Sequence, residues 1–234
     1  IDRARAFEAS ILPVEAILTL AEVEIELGLH DEAERRLRLL RHQEGITRIR
    51  CKLAMGWIAA SRQEPWAESI LKEAIESLEP RGSNGRDPYP ALRYRALVML
   101  AERYLLLGKI EESDALSQRA RWIAERLCDE TMQARLDLLE GDQCRSRGDI
   151  AGAESYWRNA QQRDHDSEQL KTRLLLRRGD LYRLTDDDEN AAKDYLQAVE
   201  DFQAMNLPIR EAWAHLRLAQ MGREESAIRA RTLF

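Results

Sequence analysis

Three segments of this 234-residue chain lie on one frame. In each, an apolar run carries a small residue seven positions before a glycine. An acidic start follows, and a second run places another small residue five positions past the glycine. The first copy holds Ala21, Gly28, Ala33, Leu37 and Leu40; the second Ala101, Gly108, Ser113, Ser117 and Ala120; the third Gly141, Gly148, Ala153, Trp157 and Ala160. A glycine at a helix end supplies the left-handed residue that closes it. Asp31, Glu32, Glu111, Glu112 and Asp149 then put negative charge at the start of the next helix, where its dipole favours it. Small residues on both runs let two antiparallel backbones cross closely. One hairpin cannot bury its apolar face alone, so the frame predicts an all-α stack of hairpins.

Composition agrees with helix. The chain is 44% hydrophobic, 33% charged and only 6% aromatic. A net charge of −6 argues against direct nucleic-acid contact. No apolar run reaches the ~20 residues a membrane helix needs. Ile1 stands where a Met would begin a reading frame, and the N-terminus lacks a basic-then-apolar signal order; it reads as a piece of a longer chain. Three scattered cysteines, Cys51, Cys128 and Cys144, suit reduced thiols in a cytoplasmic protein. Only five of the 36 basic residues are lysine, an arginine bias that points to a bacterial, GC-rich genome.

The frame resembles the tetratricopeptide repeat. Counted that way, repeats fall near 14–45, 47–79, 94–128, 134–167 and 172–205. The fourth good copy runs through Gly179, Asp186, Ala191 and Ala198, and the degenerate one through Ala54, Ser61, Ala67 and Ala74. The resemblance implies a right-handed superhelix of about five hairpins, with 210–233 as a C-terminal capping helix and Ile1–Ser10 as the end of a preceding one. Residues 79–90, with three prolines and two glycines, form a loop between repeats. Gly108 and Gly148 are 40 residues apart, against ~34 in the standard repeat, so longer helices are expected. Long, divergent repeats of this kind also resemble the sensor region of MalT-like regulators, relatives of the STAND-type ATPases.

In tetratricopeptide folds the first helix of each pair lines a concave groove. Carried onto this chain, that implies Glu15, Leu18, Glu22, Ile25 and Glu26 from the first repeat, and Arg48, Met55 and Ile58 from the second. The third adds Arg95, Val98, Glu102 and Leu105, the fourth Arg135, Asp142 and Arg145, the fifth Arg173, Arg177, Asp180 and Arg183. One end is acidic and the other arginine-rich, suited to carboxylates or phosphates. The bland alternative pairs Arg145 and Arg183 with Asp142 and Asp180 as surface or inter-repeat bridges. Some family members clamp an acidic C-terminus with basic and Asn positions. Arg173 and Arg177 match one pair, but Val98, Glu102 and Leu139 stand at the others, so that clamp is absent.

Nothing singles out catalysis. His30, His42, His165 and His215 have no paired metal-ligand spacing, and no phosphate-binding glycine loop occurs. The acidic run Asp186–Glu189 reads as a helix start, and Trp57, Trp122, Trp157 and Trp213 read as packing, as do Cys128 and Cys144. The expected function is a non-catalytic, cofactor-free interaction module holding a peptide, a protein partner or a sister chain in its groove. Its alternative is the sensing domain of a MalT-like ATP-dependent transcription regulator.

Overall fold

The computed structural model describes residues 13–80 and 87–233. The expected helix at Ile1–Ser10 and the middle of the 79–90 loop lie outside the described residues. Among the described residues there are twelve helices and no strand: α1 Val14–Glu26, α2 His30–Leu39, α3 Gly45–Ser61, α4 Ala67–Leu78, α5 Pro90–Leu106 and α6 Ile110–Leu127. They continue as α7 Glu130–Ser146, α8 Ile150–Arg163, α9 Glu168–Leu184, α10 Asp188–Ala204, α11 Pro208–Gln220 and α12 Glu224–Leu233.

Consecutive helices pack pairwise into six hairpins, and each hairpin packs on the next. Every intra-hairpin turn passes through a left-handed residue: Gly28, Gln63, Gly108, Gly148, Asp186 or Gly222. Gln63 and Asp186 show that the turn requires the conformation more than it requires glycine, though a non-glycine there carries strain. Helix starts are built as the acidic residues suggest. The side chains of Asp129, Asp149 and Asp187 accept from the N–H groups of Met132, Gly152 and Asn190. Asp187 thus spends its carboxylate on the helix start, within the acidic run.

The small residues have a physical purpose. A Cβ built on Gly179 would stand 2.9 Å from Tyr195 Cδ1, and one built on Gly141 would stand 3.0 Å from Trp157 Cε2. In each pair the aromatic ring of the second helix occupies the space a side chain on the first would need. Ser113 instead donates from Oγ to the Ala101 carbonyl at 2.8 Å, closing the third hairpin with a buried hydrogen bond. Where the standard repeat carries Trp, Asp137 is only 2% exposed. Arg121 at 2.7 Å and Arg163 at 2.9 Å hold its carboxylate, one from each helix flanking α7. A buried carboxylate with two guanidinium partners is tolerable where an unpaired one would not be.

Two details depart from the sequence expectation. Residues 210–233 form a sixth hairpin, α11 and α12, turning at Gly222 with φ +84°, where one capping helix was expected. Glu224 and Glu225 start its second helix, the same turn chemistry as in the earlier repeats. Cys128, expected to be buried, is exposed, because it sits in the left-handed position that ends α6.

Closure is a third departure. A Cβ on Gly28, in the first hairpin turn, would lie 2.6 Å from Ile209 Cδ1 and nearer still to its Cγ1. Arg210 Nη2 lies 3.5 Å from Glu26 Oε2 across the same junction. The last hairpin therefore meets the first, and the two ends of the groove come together.

Candidate functional site

Where the two ends meet, the groove becomes a partly open cavity of about 1110 Å³ lined by residues of the first three and last two hairpins. Its wall draws on the turn after α1, the C-terminal ends of α3 and α5, and the inner faces of α9 and α11. Apolar surface comes from Met99, Leu106, Leu176 and Ile209, with Trp57 and Trp213 beside it. That volume is slightly above the usual range of about 300–1,000 Å³ for small-ligand pockets.

Nine of the charged residues expected in the groove form ion pairs between repeats; of these, Glu102 and Arg177 line the cavity itself, as does Arg173. Arg95 reaches Glu22 at 3.1 Å and lies 5.0 Å above the ring of Trp57. Arg135 Nη2 donates to both Glu102 oxygens, at 3.2 and 3.3 Å. Arg177 makes a two-pronged pair with Asp142, at 2.8 and 2.5 Å. Asp180 accepts from Arg217 at 2.7 and 3.1 Å, and Arg145 stands 3.9 Å away. Glu26 faces Arg210, and Arg173 stands on the cavity wall without an ion pair among the described residues. These bridges join different repeats. The within-helix pairing considered for Arg145 with Asp142 and for Arg183 with Asp180 is not what forms.

Met55 and Arg183 stand apart. Met55 is half-buried against the core of the first two hairpins, and Arg183 donates to Gln220 at 3.3 Å on an exposed surface. Leu18, Ile25, Ile58 and Val98, also expected in the groove, are buried in the hairpin cores. The reason is lateral: α1 packs against α3, α3 against α5 and α5 against α7. Aliphatic positions on the flanks of each first helix are covered by its neighbours, so mainly the charged stripe faces inward. Val98 and Leu139, at clamp positions, are both core residues.

Electrostatics within the cluster are strongly coupled. Burial alone would raise the Glu102 carboxyl, but Arg135, Arg173 and Arg177 outweigh it and hold it below the usual value. The Arg135 guanidinium is correspondingly strengthened, chiefly by Glu102. Arg173 moves the other way. Burial, then the neighbouring Arg177 and Arg210 cations, push it down to about 9, so it still carries its charge at neutral pH.

Sequence reasoning missed Arg103, Arg210, Arg217 and Trp213, all on the cavity wall. Three of them lie on α11, whose membership in a sixth hairpin was signalled only by Gly222 with Glu224 and Glu225 behind it. Trp213 and Trp122, expected to pack inside, are 43% and 51% exposed. Trp157 alone of the four is fully in the core.

These features define a class: a tetratricopeptide-like solenoid closed around a charged interior. A solved structure agrees on the fold. It is the crystal structure of a signal transduction ATPase with numerous domains (STAND) bearing a tetratricopeptide repeat sensor, from Pyrococcus horikoshii. It matches with a TM-score of 0.63 and 18% identity over 96% of this chain. This chain spans 35% of that protein. No protein-family profile matches the sequence, and no curated protein does.

Proposed function

We propose that this chain is a non-catalytic, cytoplasmic binding module that receives a segment of a peptide or protein partner in its interior. The observation that carries the reading is the concentration of paired arginines and carboxylates on the cavity wall, where a solenoid of this kind exposes its inner surface. Inward-facing charge that is mutually neutralised costs little stability and stays available for exchange with a partner's own charges. Acidic segments suit this wall best, because guanidinium forks bind carboxylates in pairs.

Fluorescence anisotropy with labelled acidic peptides tests it. Arg173→Glu, inside the cavity, should weaken binding at least tenfold, whereas Arg183→Glu, outside it, should leave binding within about twofold. Equal loss in both variants, or no binding to the parent chain, would overturn the reading.

A second reading is favoured by the solved neighbour, whose tetratricopeptide region is named a sensor within a protein much longer than this chain. On that reading the module is the ligand- or partner-sensing part of a MalT-like regulator. Its test is the complete gene: an adjoining ATPase domain supports it, and a complete reading frame of this segment alone removes it.

A further inference from the structure

Six arginines line the central cavity: Arg62, Arg103, Arg173, Arg177, Arg210 and Arg217. Four have carboxylate partners. Arg62 pairs with Asp31 at 2.5 Å and with Glu34 at 2.9 Å, Arg177 with Asp142, Arg217 with Asp180, and Arg210 with Glu26. The carboxylates on the wall are themselves occupied, Asp31 by Arg62, Glu32 by Arg35 and Glu102 by Arg135.

Arg103 and Arg173 are left over. Arg103 is only 8% exposed, yet its contact is a long 3.4 Å hydrogen bond from Nη2 to the Gln63 carbonyl, and its Nε meets no acceptor. Among the described residues the Arg173 guanidinium has neither an ion pair nor a hydrogen bond. Arg177 and Arg210 repel it, and the nearby Glu102 carboxylate that favours its charge is already hydrogen-bonded to Arg135. Holding a half-buried cation next to like charges is unfavourable unless something supplies further counter-charge. Apolar wall from Leu176, Ile209 and Leu106 lies in the same cavity, with the indole of Trp213.

From this arrangement we infer that the cavity is a site for a small amphiphilic oxyanion, with its carboxylate or phosphate head at Arg173 and its apolar body against the Trp213 side of the wall. The arginines around Arg173 outnumber the carboxylates that reach them, which suits a head group of charge −1 to −2, and phosphate monoesters carry about −1.5 to −2 at neutral pH. Arg210 is the natural second donor. Its partner Glu26 is 3.5 Å away, so it can turn to the anion at little cost. Because Glu26 and Arg210 bridge the closing junction, an anion that takes Arg210 also competes with closure. This inference deepens the reading of the interior as the binding surface and names the chemistry of what it holds.

Phenyl phosphate and phenylacetate share a ring and differ in the head; benzyl alcohol has neither charge. Isothermal titration of the full chain at constant ionic strength should show binding of one or both anions and none of benzyl alcohol. The stronger anion identifies the head group. Arg173→Gln should weaken that anion about tenfold or more, a charge-assisted hydrogen bond's share. Without anion the same variant should melt about 2–4 °C higher, since a cation repelled by its neighbours is gone. That opposite pair of shifts separates a binding role from a merely structural one, which would lower the melting point. Equal binding of benzyl alcohol, unchanged affinity in Arg173→Gln, or no binding of either anion overturns the inference. Peptide binding that persists in that last case leaves the interior as a binding surface and removes only the small-anion chemistry.

Discussion

Replacing Gly28 by Ala and, separately, Gly108 by Ala isolates the closing contact between the first and last hairpins. Both glycines occupy the same place in their hairpins, with φ +76° and +72°. A Cβ in that left-handed region costs about 1–2 kcal/mol at either site. Around Gly108 there is nothing within 4 Å for the new methyl to meet, so the variant should lose that amount alone. At Gly28 the methyl would lie 2.6 Å from Ile209 Cδ1, inside any allowed separation. Either Ile209 leaves its place or the junction opens, which adds about 1–3 kcal/mol, the usual cost of overpacking. Urea unfolding of the two variants, followed by circular dichroism, measures the difference. In Gly28→Ala with Ile209→Ala the clash is removed, so the double variant should lose about 1 kcal/mol or more less than the two single losses combined. Equal losses for Gly28→Ala and Gly108→Ala, with no coupling to Ile209, would refute closure and with it the cavity that closure shapes.

Gly141→Ala should destabilise by about 1–3 kcal/mol, although alanine is the better helix former, because Trp157 fills the space a methyl would take; thermal unfolding checks the sign. Asp142→Asn should cost about 1–3 kcal/mol by leaving Arg177 without its two-pronged partner in a poorly exposed site, measured by urea midpoint. Stability should also fall on acidification from pH 7.5 to 5.5. Burial, aided by Arg62, lowers the pKa of His30, and burial lowers that of His215 against the opposing pull of Glu211. Both therefore take up protons less readily in the fold than in the unfolded chain, whose histidines titrate near the ordinary value of about 6.5. The stabilisation is full above that pH and lost below it. The double variant His30→Gln with His215→Gln should flatten the slope of midpoint against pH.

The hairpins were legible because their signals are local. Gly28, Gly108 and Gly148 mark turns by backbone chemistry, and Asp149 and Asp187 cap helices three residues away. Gln63 and Asp186 were harder, since a left-handed turn made without glycine leaves no compositional trace. The sixth hairpin fell below recognition for a related reason. Its glycine was present, but the small residue expected seven positions earlier is His215. Charged groove residues such as Glu102, Arg135 and Arg177 could be placed from the repeat register, since charge on a first helix has few places to go but inward or to solvent. Aliphatic positions in the same register, Val98 and Leu18 among them, were misassigned because their burial depends on the neighbouring hairpin.

Helix, turn and hairpin are set over spans of a few dozen residues, where glycine conformation, capping and small-residue crossings act. The sequence alone therefore determined that this chain stacks helix pairs and turns an arginine-rich stripe to one side. Which carboxylate meets which arginine is another matter. Arg177 finds Asp142 35 residues away, and Glu26 finds Arg210 across nearly the whole chain. Such pairings follow from small rotations at each junction, accumulated over six hairpins until the last meets the first. Tertiary structure alone decided that the ends close, that the acidic and basic ends of the groove largely cancel, and that Arg103 and Arg173 form no ion pair among the described residues.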